Sequence, residues 1–75
     1  MRTSGYVVAA AFTYRLVPPL LRPPFQEWLH NFGHHWDQMS ESVQEHFKAK
    51  AQYLRSIGLT SVQLHDWELL LPEED

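Results

Sequence analysis

The sequence predicts an all-α protein, with an apolar N-terminal helix of the membrane or transmembrane type, a proline-rich break, and two to three short amphipathic helices. Three observations lead to this fold class. Apolar residues dominate 7–17, proline pairs occur at 18–19 and 23–24, and apolar residues recur every three or four positions over 43–57. The last pattern matches the period of an α-helix, whereas proline lacks the backbone N–H that a helix interior needs.

The charged residues divide the chain into two parts. Residues 1–26 contain three arginines and no acid, whereas residues 27–75 contain all nine acids against three basic residues. The first part thus has a net charge of +3 and the second a net charge of −6. Arginine is retained on the cytoplasm-like side of a membrane, so this division is typical of a segment that enters one. We therefore predict a basic apolar anchor over 1–24 and an acidic helical tail over 25–75.

The first predicted helix runs from Thr3 to Val17, with Thr3 or Ser4 as its N-terminal cap. Its apolar residues lie on every side, which is typical of a helix that is buried or in lipid. Pro18 and Pro19 must end it, because neither has a backbone N–H and the residue before a proline avoids helical angles. About fifteen residues fall short of the ~20 that cross a hydrocarbon core, so a full membrane span would be difficult.

The second predicted helix has Pro24 in its first turn, a position that suits proline. Its apolar residues are Phe25, Trp28, Leu29 and Phe32. Gly33 is expected to end it in the left-handed conformation that glycine adopts readily.

The third predicted helix has the clearest pattern. Ser42 and Glu45 have the spacing of a capping box, and Gly58 supplies a stop. The apolar positions recur at intervals of three and four and are Val43, Phe47, Ala51, Leu54 and Ile57. This spacing predicts a helix with one buried stripe.

The last segment predicts a short helix that ends at Pro72. Thr60 and Gln63 repeat the capping-box spacing at its start. Its apolar residues would be Leu64, Trp67 and Leu71. The residues whose alternation would fit a strand instead are Val62, Leu64 and His65. We favour the helix and keep the strand as the alternative interpretation.

Composition argues against several function classes. The chain has no cysteine, which excludes disulfides, thiolate metal sites and cysteine nucleophiles. A net charge of −3 with only six basic residues argues against nucleic-acid binding, which needs clustered lysine and arginine. The serines occupy cap or surface positions, and no acid–base pair lies in a predicted pocket. We therefore predict a protein that is not an enzyme, with no catalytic residues and no cofactor.

The histidines raise the question of a metal site. His30 and His34 are four residues apart, so on one continuous helix they would share a face as zinc ligands do. Gly33 is expected to end the helix between them, and the glutamate of a zinc protease motif is missing. We therefore predict that these histidines and His35 form a polar, partly exposed turn next to Trp36, and that no residue binds a metal.

A set of residues in the first half of the chain resembles a known family. The set is Val7-Val8, Phe12, Arg15, His30-Asn31, Gly33 and Trp36, preceded by the start Arg2-Thr3-Ser4. In type and spacing these residues resemble a small single-helix subunit of mitochondrial respiratory complex III, the ninth subunit in fungal naming and the tenth in animals. The resemblance covers residues 2–39. A second string over 32–39 is similar to one in a small single-span accessory subunit of complex I.

The resemblance implies a noncatalytic structural accessory subunit of ubiquinol-cytochrome c reductase in the mitochondrial inner membrane. It implies an N-terminus in the matrix, a C-terminal tail in the intermembrane space, contact with the anchors of cytochrome c1 and the Rieske protein, and contact with lipid. The alternative is a soluble all-helical interaction module that docks its apolar N-terminal helix into a partner. The expected partner-contact residues are Val7, Val8, Phe12, Arg15, Trp28, Trp36, Phe47 and Leu54.

Overall fold

Helices make up the regular structure of the computed structural model, which describes residues 1–70, with the backbone alone for Leu64 and His65. The α-helices are α1 (Gly5–Arg15), α2 (Phe25–Asn31), α3 (Gly33–Gln38) and α4 (Glu41–Ser56). A 3₁₀ turn over Pro19–Leu21 follows α1, and a 3₁₀ helix over Leu64–Leu70 ends the described chain. No strand forms within residues 1–70, and the predicted all-α class is confirmed.

α1 begins and ends inside the predicted range of residues 3–17. The Ser4 hydroxyl accepts a hydrogen bond from the Val7 N–H at 3.3 Å, so Ser4 is the cap of the two that were predicted. At the other end, the next two N–H groups after the helix donate to carbonyls three residues back. This tighter turn precedes Pro18, which has no N–H to continue the helix, and the predicted break at the proline pair is confirmed.

The membrane-type helix of the prediction is not found. α1 has 11 residues, and no helix within residues 1–70 combines the length and the apolar character needed to cross a membrane. α1 ends at Arg15 because the proline pair cannot extend it, and the leucines beyond that pair therefore do not lengthen it.

The rest of the chain covers α1. α4 packs against it most extensively, and α2 and the C-terminal 3₁₀ helix also contact it. Its buried apolar residues include Val7, Val8, Ala9, Ala10 and Ala11. The prediction that this helix is buried is confirmed, and its cover consists of the chain's own helices. Residues 1–24 consequently share one hydrophobic core with residues 25–70.

α1 and α4 approach each other closely at Gly5 and Lys48. A Cβ atom at Gly5 would lie 2.8 Å from the Lys48 Cγ and 3.0 Å from the Lys48 Cα and backbone N. A side chain there would push α4 away, so only glycine fits this contact unchanged. The alanines at 9–11 are fully buried as well, and such small side chains let neighbouring helices pack near the α1 backbone.

The prediction that Gly33 ends the second helix in a left-handed conformation is wrong. α2 ends at Asn31, Phe32 keeps right-handed angles with φ −68° and ψ −18°, and Gly33 begins α3. The Trp36 N–H donates to the Phe32 carbonyl at 3.0 Å, so the chain re-enters a helix at once. The Phe32 side chain is buried edge-on against the Tyr6 ring, which holds this junction in the core.

Ser40 caps α4, and the prediction of Ser42 as the cap is wrong by half a turn. The Ser40 hydroxyl accepts from the Val43 N–H at 3.3 Å and contacts the Ser42 hydroxyl at 3.2 Å. The side-chain amide of Gln44 donates to the Trp36 carbonyl at 2.6 Å. This bond connects the first turn of α4 to α3. A capping motif in the sequence cannot predict such a contact, because the contact joins two separate helices.

Gly58 ends α4 with a φ of 105°, and the predicted stop is confirmed. The predicted apolar stripe is covered in its middle and open at its ends. Phe47 and Ala51 are buried, Leu54 is half-buried, and Val43 and Ile57 are exposed. The Phe47 ring lies 5.9 Å from the Phe12 ring of α1, so the middle of the stripe is the part that meets α1.

The last helix is wound more tightly than predicted. Residues 64–70 form a 3₁₀ helix with a departure from helical angles at Asp66, where φ is −103° and ψ is 22°. A 3₁₀ helix has poorer hydrogen-bond geometry than an α-helix and is used in short pieces. Leu71 and Pro72, with which the predicted helix ended, lie outside the described residues.

The alternative strand interpretation is wrong, because Leu64 and His65 belong to the 3₁₀ helix. Within residues 1–70, Arg2 and Ser61 form one isolated antiparallel bridge. Next to it, the Met1 amine donates to the Val62 carbonyl at 2.7 Å, and the Val62 N–H donates to the Met1 carbonyl at 2.8 Å. These bonds fix the N-terminus beside the loop that follows α4.

Candidate functional site

The predicted partner-contact residues divide by burial. Those buried under the chain's own helices are Val7, Val8 and Phe47. Those half-buried are Trp28, Trp36 and Leu54, and those exposed are Phe12 and Arg15. A partner can reach the exposed pair directly, whereas the buried three build the core of this chain.

The two half-buried tryptophans hold α2 and α3 against α1. The Trp28 Nε1–H donates to the Ala10 carbonyl of α1 at 3.0 Å. The Trp36 ring meets the Tyr6 ring edge-on, with 5.9 Å between centroids. The Tyr6 hydroxyl donates in turn to the Leu29 carbonyl of α2 at 2.6 Å. Both indoles therefore serve the fold of this chain.

The environment of Tyr6 alters its ionisation. Burial first, and the negative charge of Asp37 second, raise the pKa of Tyr6 above its ordinary value of 10.0. Both effects disfavour the phenolate, which would lose solvation and lie near another negative charge. The neutral phenol that remains is the form that donates to Leu29.

An apolar turn projects where α1 ends. Leu16, Leu20 and Leu21 are 72%, 100% and 73% exposed. We call residues 16–21 the leucine turn. Phe12 is 38% exposed and lies one helical turn before Leu16. Single exposed apolar side chains are ordinary on protein surfaces, but a contiguous group of them marks an interaction surface.

Proline sets the backbone of the leucine turn. Pro18 has a φ of −55° and a ψ of 138°, which directs the chain out of α1. The Leu21 N–H then donates to the Pro18 carbonyl at 2.8 Å, closing one 3₁₀ turn. Because two consecutive prolines have fixed φ angles, this conformation costs less entropy than the same turn in other residues would.

Arg22 anchors the leucine turn to α1. Its Nε donates to the Val17 carbonyl at 2.7 Å and its Nη2 donates to the Arg15 carbonyl at 2.8 Å. Its guanidinium carbon also lies 5.6 Å from the centre of the Tyr14 ring and 5.9 Å from that of Trp67. The negative end of a helix favours a cation, and aromatic faces do too. Arg22 therefore holds the leucine turn against the end of α1, while the leucine side chains stay exposed.

An aromatic cluster supports the second proline pair. The Tyr14 hydroxyl donates to the Pro23 carbonyl at 2.5 Å. The Tyr14 ring makes edge contacts with Phe25 and Trp67, at centroid distances of 5.2 Å and 4.9 Å. α1, α2 and the C-terminal 3₁₀ helix therefore meet directly behind the leucine turn.

The histidines do not converge. His30 lies in α2 and His34 in α3, and both are exposed. His35 stacks on Trp28, with 6.4 Å between ring centroids and 18° between planes. Within residues 1–70 no three histidine, cysteine, aspartate or glutamate side chains are grouped so that they could hold a metal ion.

A cavity of about 330 Å³ lies among α1, α2 and α3. Its lining residues are Thr13, Trp28, Phe32, His35, Gln38 and Met39. His35 is the titratable side chain of this lining, and it has no carboxylate beside it there to act as the other member of an acid–base pair. The surface that lines the cavity is mostly apolar.

The sequence prediction did not include the leucine turn among the contact residues. The signal was present, because Leu20 and Leu21 stand between two proline pairs. Residues that cannot join a helix are hard to cover by helix packing, and large apolar side chains there tend to project.

The exposed surface of the described residues thus includes an apolar group at the end of α1, the leucine turn, with Phe12 and Arg15 beside it. Other large apolar side chains are exposed at Tyr53, Ile57 and Leu69. Comparisons with protein-family models, with curated proteins and with solved structures find no match for this chain.

Proposed function

We propose that this protein is a noncatalytic accessory subunit that stabilises a larger assembly by placing its leucine turn in an apolar site of a neighbouring subunit. The observation that carries the proposal is the exposure of Leu16, Leu20 and Leu21 together. Burying one leucine side chain contributes roughly 1.5–3 kcal/mol, so three of them would contribute substantially to the free energy of a specific contact.

The anchor of the turn strengthens this proposal. Binding costs free energy when a flexible segment must become ordered, and a segment that is already ordered avoids that cost. Pro18, Pro19 and the hydrogen bonds of Arg22 hold the turn in one conformation before any partner arrives. The turn therefore has the properties of a preformed docking element.

The assembly that we propose is complex III of the mitochondrial inner membrane. The support is the resemblance over residues 2–39 and the net positive charge of residues 1–26. Two residues of the resemblance, Phe12 and Arg15, are exposed and border the leucine turn. The neighbours proposed for this surface are the cytochrome c1 and Rieske anchors, with lipid as a further contact.

A second candidate is an interaction module of a different assembly. The observation that favours it is the burial of Val8 and of the alanines at 9–11 by the chain's own helices. Such a helical domain folds around α1 and would dock through its leucine turn, instead of inserting α1 into the partner.

Removing the protein from its native cells tests the accessory role. We expect less assembled complex III and nearly unchanged turnover per remaining complex, because an accessory subunit of the proposed kind supports assembly and takes no part in the reaction. Native electrophoresis measures abundance, and cytochrome c reduction measures turnover. Normal abundance with reduced turnover would contradict the accessory role, and loss of a different complex would select the second candidate.

A point variant tests the contact surface. The double substitution Leu20→Ser and Leu21→Ser should release the protein from its assembly without changing its fold, since both side chains are exposed. Leu69→Ser is the matched control, because Leu69 is 59% exposed at a distant place in the sequence. Retention of the double variant, or equal loss of the control, would overturn the proposed surface.

A further inference from the structure

We infer that the cleft between the start of α1 and α4 binds the phosphate group of a small phosphorylated ligand. The cleft has a volume of about 440 Å³, within the range of small-molecule sites. Its lining residues are Arg2, Ser4, Gly5, Glu45, Lys48, Ala49, Gln52 and Arg55. This site is separate from the leucine turn and does not depend on the proposed function.

The charge of the cleft is opposite to that of the chain. The whole protein has six basic residues against nine acids, yet Arg2, Lys48 and Arg55 all line this one cleft. Glu45 is the acid of the lining, and it lies 3.6 Å from the Lys48 ammonium. A concave surface of one charge sign concentrates ions of the opposite sign. The cleft should therefore attract anions, although the net charge of the whole protein is negative.

The Arg55 guanidinium and the main chain of Arg2 are held in place before any ligand binds. Arg55 donates through Nη1 to the Thr3 carbonyl at 2.6 Å, which fixes its guanidinium at the edge of the cleft. A guanidinium has five N–H donors, so others remain for a ligand. The main chain of Arg2 is held by its bridge to Ser61. Arginine presents paired N–H groups that match two oxygens of a phosphate.

The backbone of α1 adds to the attraction. Ser4 is the N-terminal cap of the 11-residue helix α1 and Gly5 is its first residue, and both line the cleft. The positive end of the helix dipole thus faces the space between the basic side chains. Lys48 closes the side-chain position of Gly5, so Gly5 contributes only backbone to this wall of the cleft.

Two features favour a phosphate ester over a simple carboxylate. Three cations against one acid leave a local charge of +2, which a dianion neutralises better than a monoanion. Ala49 and Gln52 lie between Lys48 and Arg55 on α4 and add uncharged surface to the lining for the organic group.

An NMR titration of the ¹⁵N-labelled full chain tests the site. Inorganic phosphate is the probe, sodium chloride holds ionic strength constant, and acetate is the carboxylate comparison. We expect saturable shifts at the amides of Gly5, Lys48 and Gln52, with phosphate binding more tightly than acetate. Shifts that grow linearly, or acetate binding as tight as phosphate, would overturn the inference.

The helix α4 provides a matched pair of variants. Lys48→Gln should weaken phosphate binding at least about fivefold, as expected when one charged hydrogen bond is lost. Lys50→Gln removes the same charge from the same helix but outside the cleft, and should leave the dissociation constant within about twofold. Equal weakening in both variants would show general charge screening and contradict a site.

Discussion

Residues 7–11 and residues 16–21 are two halves of one apolar stretch, and the fold treats them in opposite ways. The first half is buried, with Val8 1% exposed and the three alanines fully covered. The second half is exposed, with Leu20 in full contact with solvent. Apolar character alone therefore does not decide burial. What decides it here is whether the residues belong to a helix that other helices can cover.

The prolines and the small residues make this difference. Gly5 and the alanines let α4 and α2 pack near α1, so the first half joins the core. Pro18 and Pro19 end the helix, and the leucines then lie beyond the reach of those packing helices. Substitutions in each half should therefore have very different consequences.

The largest expected effect lies in the core. Phe32 is 1% exposed and its ring contacts Tyr6 and Trp28. Phe32→Ala should lower the free energy of unfolding by about 3–5 kcal/mol, because it removes buried surface and leaves a cavity. Urea denaturation measures the change. Leu20→Ala should change stability by less than about 0.5 kcal/mol, since Leu20 has no cover to lose. A similar loss of stability in both variants would contradict the account, because Leu20 would then be as important to the core as Phe32.

The close contact of α1 and α4 should be the next most sensitive place. Gly5→Ala should cost about 1–2 kcal/mol, because its Cβ would press on the Lys48 backbone and the helices would have to separate. Gly33→Ala is the control, since the nearest atom to its Cβ would be the Tyr6 hydroxyl at 3.8 Å. Glycine lowers helix stability, so this control should be neutral or stabilising by up to about 1 kcal/mol. A stabilising Gly5→Ala would show that the contact is not tight.

The anchor of the leucine turn should contribute a smaller amount. Arg22→Leu removes two hydrogen bonds to carbonyls of α1 and should cost about 1 kcal/mol at this partly exposed position. Amide hydrogen exchange at Leu21 should also become faster, because the turn loses its support. Arg22→Lys keeps the positive charge but lacks the planar guanidinium that makes both hydrogen bonds, so its loss of stability and its rate of exchange should be intermediate. Unchanged exchange in Arg22→Leu would show that the prolines alone hold the turn.

The ionisation of Tyr6 should produce the smallest effect, and this effect should appear only in alkali. Its folded pKa is raised above 10.0, so the folded state holds this proton more tightly than the unfolded state does. Its stabilising contribution is therefore complete below pH 10 and is lost as the pH rises through the folded pKa. A denaturation series from pH 8 to 11 should show this decline. Tyr6→Phe should be less stable at neutral pH but should not show this loss of stability in alkali. If the stability of Tyr6→Phe declined with pH as steeply as that of the original protein, the assignment of the decline to Tyr6 would be contradicted.

Local features of the fold could be predicted from the sequence. The end of α1 follows from Pro18 and Pro19, and the end of α4 follows from Gly58, because proline and glycine act on their own backbone angles. The core position of Phe47 could be predicted from its place in a periodic stripe. All three depend on neighbours in the chain.

Contacts between distant residues could not be predicted in this way. Gly33 begins a new helix because the neighbouring Phe32 is buried against α1. Ser40 caps α4 at a place where the hydrogen bond from Gln44 to α3 supports the start of the helix. The exposure of the leucine turn depends on which helices cover α1 and where they stop. Arg22 was visible only as a cation after a proline break, while its bonds to α1 carbonyls depend on the folded turn.

Cysteine labelling tests the contrast between the two halves most directly, because the chain has no cysteine of its own. Single variants Val8→Cys and Leu20→Cys would be treated with a maleimide, and their rates compared with those of the denatured chains. We predict that Leu20→Cys reacts nearly as fast folded as unfolded, and that Val8→Cys reacts at least about a hundredfold more slowly when folded. In the native assembly, Leu20→Cys should become protected as well. Equal rates at the two positions in the folded free protein would contradict a buried α1 and an exposed leucine turn.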